Sequence, residues 1–188
     1  MKKMALSAAL IALALPATAA DKAALLEEGK ALMMTFGGTL KNELMQAVAE
    51  GGAPKAISVC NTRAPEIAAA LSADSGWSVG RSSHKLRNPD NAPDAYTAAA
   101  IEGFLAREAA GEKADDLVKA EIVEEDGKQV FHLVKAIPTG QLCVNCHGGD
   151  EVAAPVVAKL AELYPEDMAR GFAMGEMRGV FTLSKVLD

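Results

Sequence analysis

Cys143-Val144-Asn145-Cys146-His147 sets two thiols and an imidazole on one short stretch of backbone. No other feature of the chain restricts its folded state as much, because each chemistry that uses this spacing demands its own surroundings. A zinc site needs four ligands, usually drawn from two such knuckles. Here there is one knuckle, and Cys60, His84 and His132 are scattered far from it. A dithiol–disulfide pair is expected at the start of a helix after a strand, and needs no histidine. The pattern C-x-x-C-H is instead the signature of c-type haem attachment. Two thiols at this separation add across the vinyl groups on one porphyrin edge, and the adjacent imidazole is held against the iron as an axial ligand.

The amino terminus bears on the choice. Lys2 and Lys3 precede an almost unbroken apolar run from Met4 to Leu15, followed by Pro16 and the small residues Ala17-Thr18-Ala19-Ala20. That is the layout of a secretory signal peptide over residues 1–20, and the run is too short for a spanning helix. Its removal from the 188 residues leaves 168, enough for one domain over 21–188 with a sizeable core. The expected location is periplasmic, with no stable membrane insertion after cleavage. Net charge goes from −6 to −8 once Lys2 and Lys3 are lost, and aromatics make up only 4% of the chain. That composition lacks the basic footprint of a nucleic-acid binder. Three cysteines is an odd number for an oxidising compartment, where pairing would strand one thiol. Export and the odd count favour one covalently attached haem c at Cys143 and Cys146, with His147 on the iron.

The rest of the chain alternates helical and extended signals. Residues 22–50 carry a helical period that Gly37-Gly38 should interrupt and Gly51-Gly52 should end. Ala53 to Leu71 forms a second helical stretch, in which Pro65 predicts a break just after Cys60. A short strand is expected over Trp77 to Arg81 and a helix over Asp94 to Ala110. Ala120–Glu124 and Gln129–Ile137 flank Asp126-Gly127, a hairpin signal. The cysteine motif should lie in the loop after it. Val152 to Tyr164 reads as helix and Gly179 to Leu187 as a final strand. The order implies an α+β domain built on an antiparallel sheet.

The second axial position stays open on these residues. Methionine is the usual partner in small cytochromes, and Met168, Met174 and Met177 are the late candidates. His84, His132 and Cys60 are alternatives, with His132 read as a structural residue inside its strand. Haem propionates need cationic donors. Gly80 to Asp94 gathers Arg81, His84, Lys85 and Arg87, of which Arg81 and Arg87 suit carboxylates bidentately.

The blocks "AISVCNTRAPEIA", "GRSSHKLRNPDNAPD", "CVNCHG" and "GEMRGVFTL" together resemble a family of exported single-haem c-type proteins with a PAS-like domain, known from cyanobacteria and other bacteria. The likeness runs over about residues 25–187. It implies a small antiparallel sheet with surrounding helices, thioether bonds at Cys143 and Cys146, and iron held by His147 and Cys60. A thiolate ligand should lower the reduction potential. With both axial sites filled, enzymatic chemistry is not expected. The function implied is low-potential one-electron transfer with a redox partner protein. The alternative is redox or gas sensing through a separate signalling partner.

Overall fold

The protein, seen in a computed structural model, is described over residues 19–187. The signal peptide expected over residues 1–20 lies outside them apart from Ala19 and Ala20, which begin the first helix. Four helices and four strands follow in the order α1 (Ala19–Ser75), β1 (Ser78–Ser82), α2 (Ala95–Ala109), β2 (Val118–Glu125), β3 (Lys128–Pro138), α3 (Gln141–His147), α4 (Ala154–Leu163) and β4 (Met177–Leu187). The strands form one antiparallel sheet in the order β1-β4-β3-β2. This is the α+β architecture that the alternating signals predict.

The central strand explains the layering. Along β3, Phe131 and Leu133 pack against α1, together with Phe36, Leu40, Ala64, Trp77 and Leu183. The intervening Val134 and Ala136 point the other way, into a core with Ile101 and Phe104 of α2. Side chains alternate across a strand, so a strand buried at consecutive positions, as β3 is from Val130 to Val134, is one covered on both faces. The sheet is therefore sandwiched between α1 and α2. A third cluster joins α4 to the second half of α1, with Ile57, Val156, Leu160 and Tyr164 as its buried members and Cys146 packed against it.

Most expected boundaries hold to within a few residues. Asp94 caps α2 by accepting a hydrogen bond from the Thr97 amide at 2.7 Å. Asp126 and Gly127 both adopt positive φ, as a tight hairpin turn between β2 and β3 requires. At Gly51-Gly52 the helical path breaks, with Gly52 at φ 72°, a conformation that favours glycine. The axis of α1 is thus split into two helical segments where the sequence placed the boundary.

Three expectations fail for identifiable reasons. Gly37-Gly38 does not interrupt α1, because Gly37 serves by its smallness: a Cβ there would stand 3.1 Å from the Phe181 ring. Gly37 marks where helix and sheet approach closely, while Gly38 faces open space. Pro65 does not break the helix either, since Ala64 and Ile67 beside it are buried against the sheet. Packing there outweighs one missing backbone bond. Finally, the cysteine motif is helical in α3 rather than a loop.

Phe131 is fully buried where α1, β1 and β3 meet, with its ring edge-on to Trp77 at 5.7 Å between centroids. Phe131→Ala should cost about 3–5 kcal/mol of unfolding free energy, read as a lower urea midpoint with an unchanged slope. A loss below about 1 kcal/mol would mean that this layer is not the core.

Candidate functional site

Four elements converge beside the carboxyl end of β1. The second segment of α1 supplies Cys60, α3 supplies Cys143, Cys146 and His147, and β1 and β4 supply Arg81 and Arg178. Between them lies a cavity of about 520 Å³ lined by all three cysteines and His147. That volume falls in the roughly 300–1,000 Å³ range of cofactor and ligand pockets. Leu40, Leu44, Ala56, Ile57, Ile137 and Phe181 give it an apolar wall. A smaller polar chamber of about 80 Å³ adjoins it, sharing Cys60, Arg81, Arg87, Arg178 and His147 and adding Ser82, Ser83, Lys85, Asn88 and Tyr164.

Helix α3 is too short to hold itself together. Its end is fixed by the segment Pro165–Glu176, called the strap below. The Gly171 and Phe172 amides donate to the carbonyls of Gly148 and His147. Gly148 must remain small, for a Cβ there would lie 2.5 Å from the Val144 carbonyl oxygen. Arg87 completes the joint. Its guanidinium binds both oxygens of Asp167 at 3.0 and 3.1 Å and donates to the carbonyls of Cys146 at 2.7 Å and Ala169 at 3.0 Å. A cation on the last carbonyls of a helix also complements its dipole.

His147 is oriented by the same segment. Ala169 offers a carbonyl oxygen 2.8 Å from Nδ1, and a carbonyl can only accept. Nδ1 therefore carries the proton and the lone pair resides on Nε2, which accepts from Arg87 Nη1 at 3.3 Å. Burial, followed by the positive charges of Arg87 and Arg178, pushes the His147 pKa well below its usual value. The ring is a neutral imidazole with its ligating nitrogen free of a proton, the state and second-shell anchor typical of metal-bound histidine. Burial likewise raises the Cys146 thiol pKa, against the opposing pull of Arg87.

The cationic side of the cavity is well developed in an acidic chain. Arg81 lies over the Phe36 ring, 5.4 Å from its centroid, and burial lowers its pKa against the favourable influence of Cys60. Arg178 has its Nε buried with no hydrogen-bond partner among the described residues. Such a group is costly unless something satisfies it. Sequence reasoning missed Arg178, although its block "GEMRGVFTL" was in view. The signal would have been an arginine one glycine before the apolar Val180-Phe181 run of the last strand.

The other predicted donors go elsewhere. Met168 and Met174 are 64% and 55% exposed, and Met177 is buried in the α2 core. His132 is buried beneath the stacked Tyr96 ring with Nε2 3.0 Å from Glu125. His84 lies outside both chambers. Among the described residues no group of three or more His, Cys, Asp or Glu gathers to hold a metal ion. What remains is an apolar slot with thiols and one imidazole on its walls and arginines at its end. It suits a largely apolar body with an anionic end and a metal that accepts imidazole nitrogen and sulfur.

The joint between the strap and α3 makes a prediction. The side chains of Arg87 and Asp167 are 11% and 8% exposed, and removing one member of a buried pair costs about 3–5 kcal/mol. Asp167→Ala should lose about that much stability and speed amide exchange at Gly171 and Phe172. Unchanged exchange would show that the strap is held by other contacts.

Set against known proteins, residues 13–185 match the sequence profile of the Tll0287-like family. Among solved structures the chain resembles the crystal structure of the cyanobacterial heme-protein Tll0287. The TM-score is 0.62 and the identity 20%, over 92% of this chain and 98% of that one. The comparison with curated proteins returns no match.

Proposed function

The chain belongs to the Tll0287-like family, and on that premise we propose that it is an exported carrier of single electrons, working through one haem c in the cavity of His147 and Cys60. The observation that carries the reading is the shared wall: Cys143, Cys146, His147 and Cys60 all line one apolar cavity with arginines at its polar end. A haem-protein of the same fold supports it.

The residues fit such a group. Cys143 and Cys146, one helical turn apart on α3, are the thioether pair. His147 Nε2 would be the nitrogen donor, in place of the Arg87 hydrogen bond it accepts. Cys60, on the wall of both chambers, would be the second protein donor, as the family resemblance implies, and among the described residues no methionine lines either chamber. Arg81 and Arg178, with the polar chamber of Ser83 and Lys85, receive the propionates. Arg87 contributes the Nη1 edge it no longer gives to His147.

When bound, the haem supplies a one-electron couple at its iron. The chain sets the potential of that couple. A thiolate from Cys60 favours the oxidised state, whereas buried arginine charges favour the reduced one. With protein ligands on both faces no position is left for a substrate, which is why we read a carrier rather than an enzyme. The apolar wall excludes water and keeps reorganisation on electron arrival small.

Mass spectrometry of the exported protein after acid–acetone treatment tests the premise. The mass should exceed that of the polypeptide by one haem, and the excess should vanish in the Cys143→Ala/Cys146→Ala variant. A bare polypeptide mass from wild type sinks the reading. Cys60→Ser should abolish the thiolate low-spin EPR signature of the ferric protein and raise its potential, while an unchanged spectrum removes Cys60 from the iron. Arg178→Gln should lower the potential, because a positive charge that stabilises the added electron is gone. If CO or NO binds the reduced wild type readily, the function moves to gas sensing.

A further inference from the structure

His84 belongs to the basic loop but to neither chamber of the site. Its Nδ1 is nevertheless buried with no hydrogen-bond partner among the described residues. Buried polar atoms are nearly always satisfied, and one left alone calls for a physical reason. Its ring stands edge-on to Phe172, with centroids 5.6 Å apart. Phe172 in turn is edge-on to His147 at 6.3 Å, and its amide donates to the His147 carbonyl at 3.0 Å. Lys85 Nζ lies 4.7 Å from the centroid of the same ring and donates to the Arg170 carbonyl. One buried phenyl ring thus separates two imidazoles, with 4% of its own surface exposed.

We propose that His84 is a proton-binding site coupled through Phe172 to the redox centre at His147, so that gaining an electron draws a proton onto His84. The inference rests on the haem reading above. In the balanced step one electron would enter the haem-loaded centre from a redox partner, and His84 would take up a proton, in part or in full, from solvent at whichever ring nitrogen is unprotonated in the neutral form. An N–H bond forms on the imidazole as an O–H bond of a hydronium ion breaks, leaving water, and no further reactant is needed.

The sign follows from the charges. An added electron makes the centre less positive by one unit and lowers the cost of a second positive charge nearby. The intervening ring excludes water, so the interaction is weakly screened. The other groups that face His84 are Lys85 on its own loop, Glu108 on α2 and Glu176 on the strap. Burial, then Lys85, push its pKa below the usual imidazole value, while Glu108 and Glu176 pull upward. In the oxidised protein His84 is therefore neutral at pH 7. The coupling should act on the acid side of the ordinary histidine range, where reduction moves the midpoint for proton binding upward.

The midpoint potential of the haem-loaded protein, measured by spectroelectrochemistry from pH 4.5 to 8, tests the proposal. The wild-type potential should fall as pH rises through the acid limb and flatten above it. His84→Phe should lose that slope while its axial absorption and EPR spectra stay those of wild type. Phe172→Leu should reduce the slope without abolishing it, by admitting water between the rings. Separately, NMR titration of the His84 ring should give a higher pKa in the reduced protein than in the oxidised one. An equal slope in His84→Phe, or equal pKa values in the two redox states, overturns the proposal. Absence of covalent haem from wild type overturns instead the reading on which it rests.

Discussion

Arg87 and Asp167, almost wholly buried, tie together three pieces of chain that sequence keeps far apart. The arginine comes from the loop after β1, the aspartate from the strap, and the carbonyl it caps from the end of α3. Without this joint, the seven-residue α3 has little reason to be helical. The Ala169 carbonyl that fixes the His147 tautomer would also lose its place, as it accepts from the same guanidinium. The geometry of the imidazole is thus inherited from an ion pair two steps away. A buried pair of this kind is weak evidence for stability alone. Its value lies in register, because four directional hydrogen bonds allow one placement of the strap against the helix.

The sheet provides the fixed frame. Since β3 is covered on both faces, Arg81 on β1 and Arg178 on β4 are held by a rigid layer rather than by loops. Their charges are buried at a cost that the apolar sandwich must bear. That cost makes sense only if an anionic partner returns it, and Arg178 Nε, buried without a partner, is where the shortfall is most visible. Cys60 reaches the same cavity from the opposite side because α1 bends at Gly51-Gly52, swinging its second segment over the site. Pro54 and Pro65 sit within that segment without ending it.

Much of this was legible in the sequence, and the parts that were not share a cause. The Asp126-Gly127 turn, the Asp94 cap and the Gly51-Gly52 kink are local decisions written in local residues. Gly37 and Pro65 were misjudged because their outcome is set across the molecule, by the Phe181 ring in one case and by the burial of Ala64 and Ile67 in the other. The helical state of Cys143–His147 was invisible for the same reason, as its supports come from the strap and from Arg87. Within the site, the convergence of Cys60 with the cysteine motif followed from a resemblance. No periodicity could have brought residues 60 and 147 together. Arg178 escapes the sequence reading because the sequence predicts the last strand to begin at Gly179, one residue after it, whereas β4 starts at Met177.

The basic loop shows how one short segment serves two purposes at different depths. Ser83, Lys85 and Arg87 contribute to the polar chamber, whereas His84 between them turns away and meets Phe172. The chain bends at residues 84–85 and again at 87–88, and in this irregular run position 84 alone leaves the lining of the chamber. Phe172 of the strap packs on the half-buried His84 ring and keeps it one ring away from His147. A residue in that place feels the charge of the centre yet cannot ligate it. On the proposed reading its influence would be confined to electrostatics, so the position could hold a titratable group without competing with His147 and Cys60 for a metal.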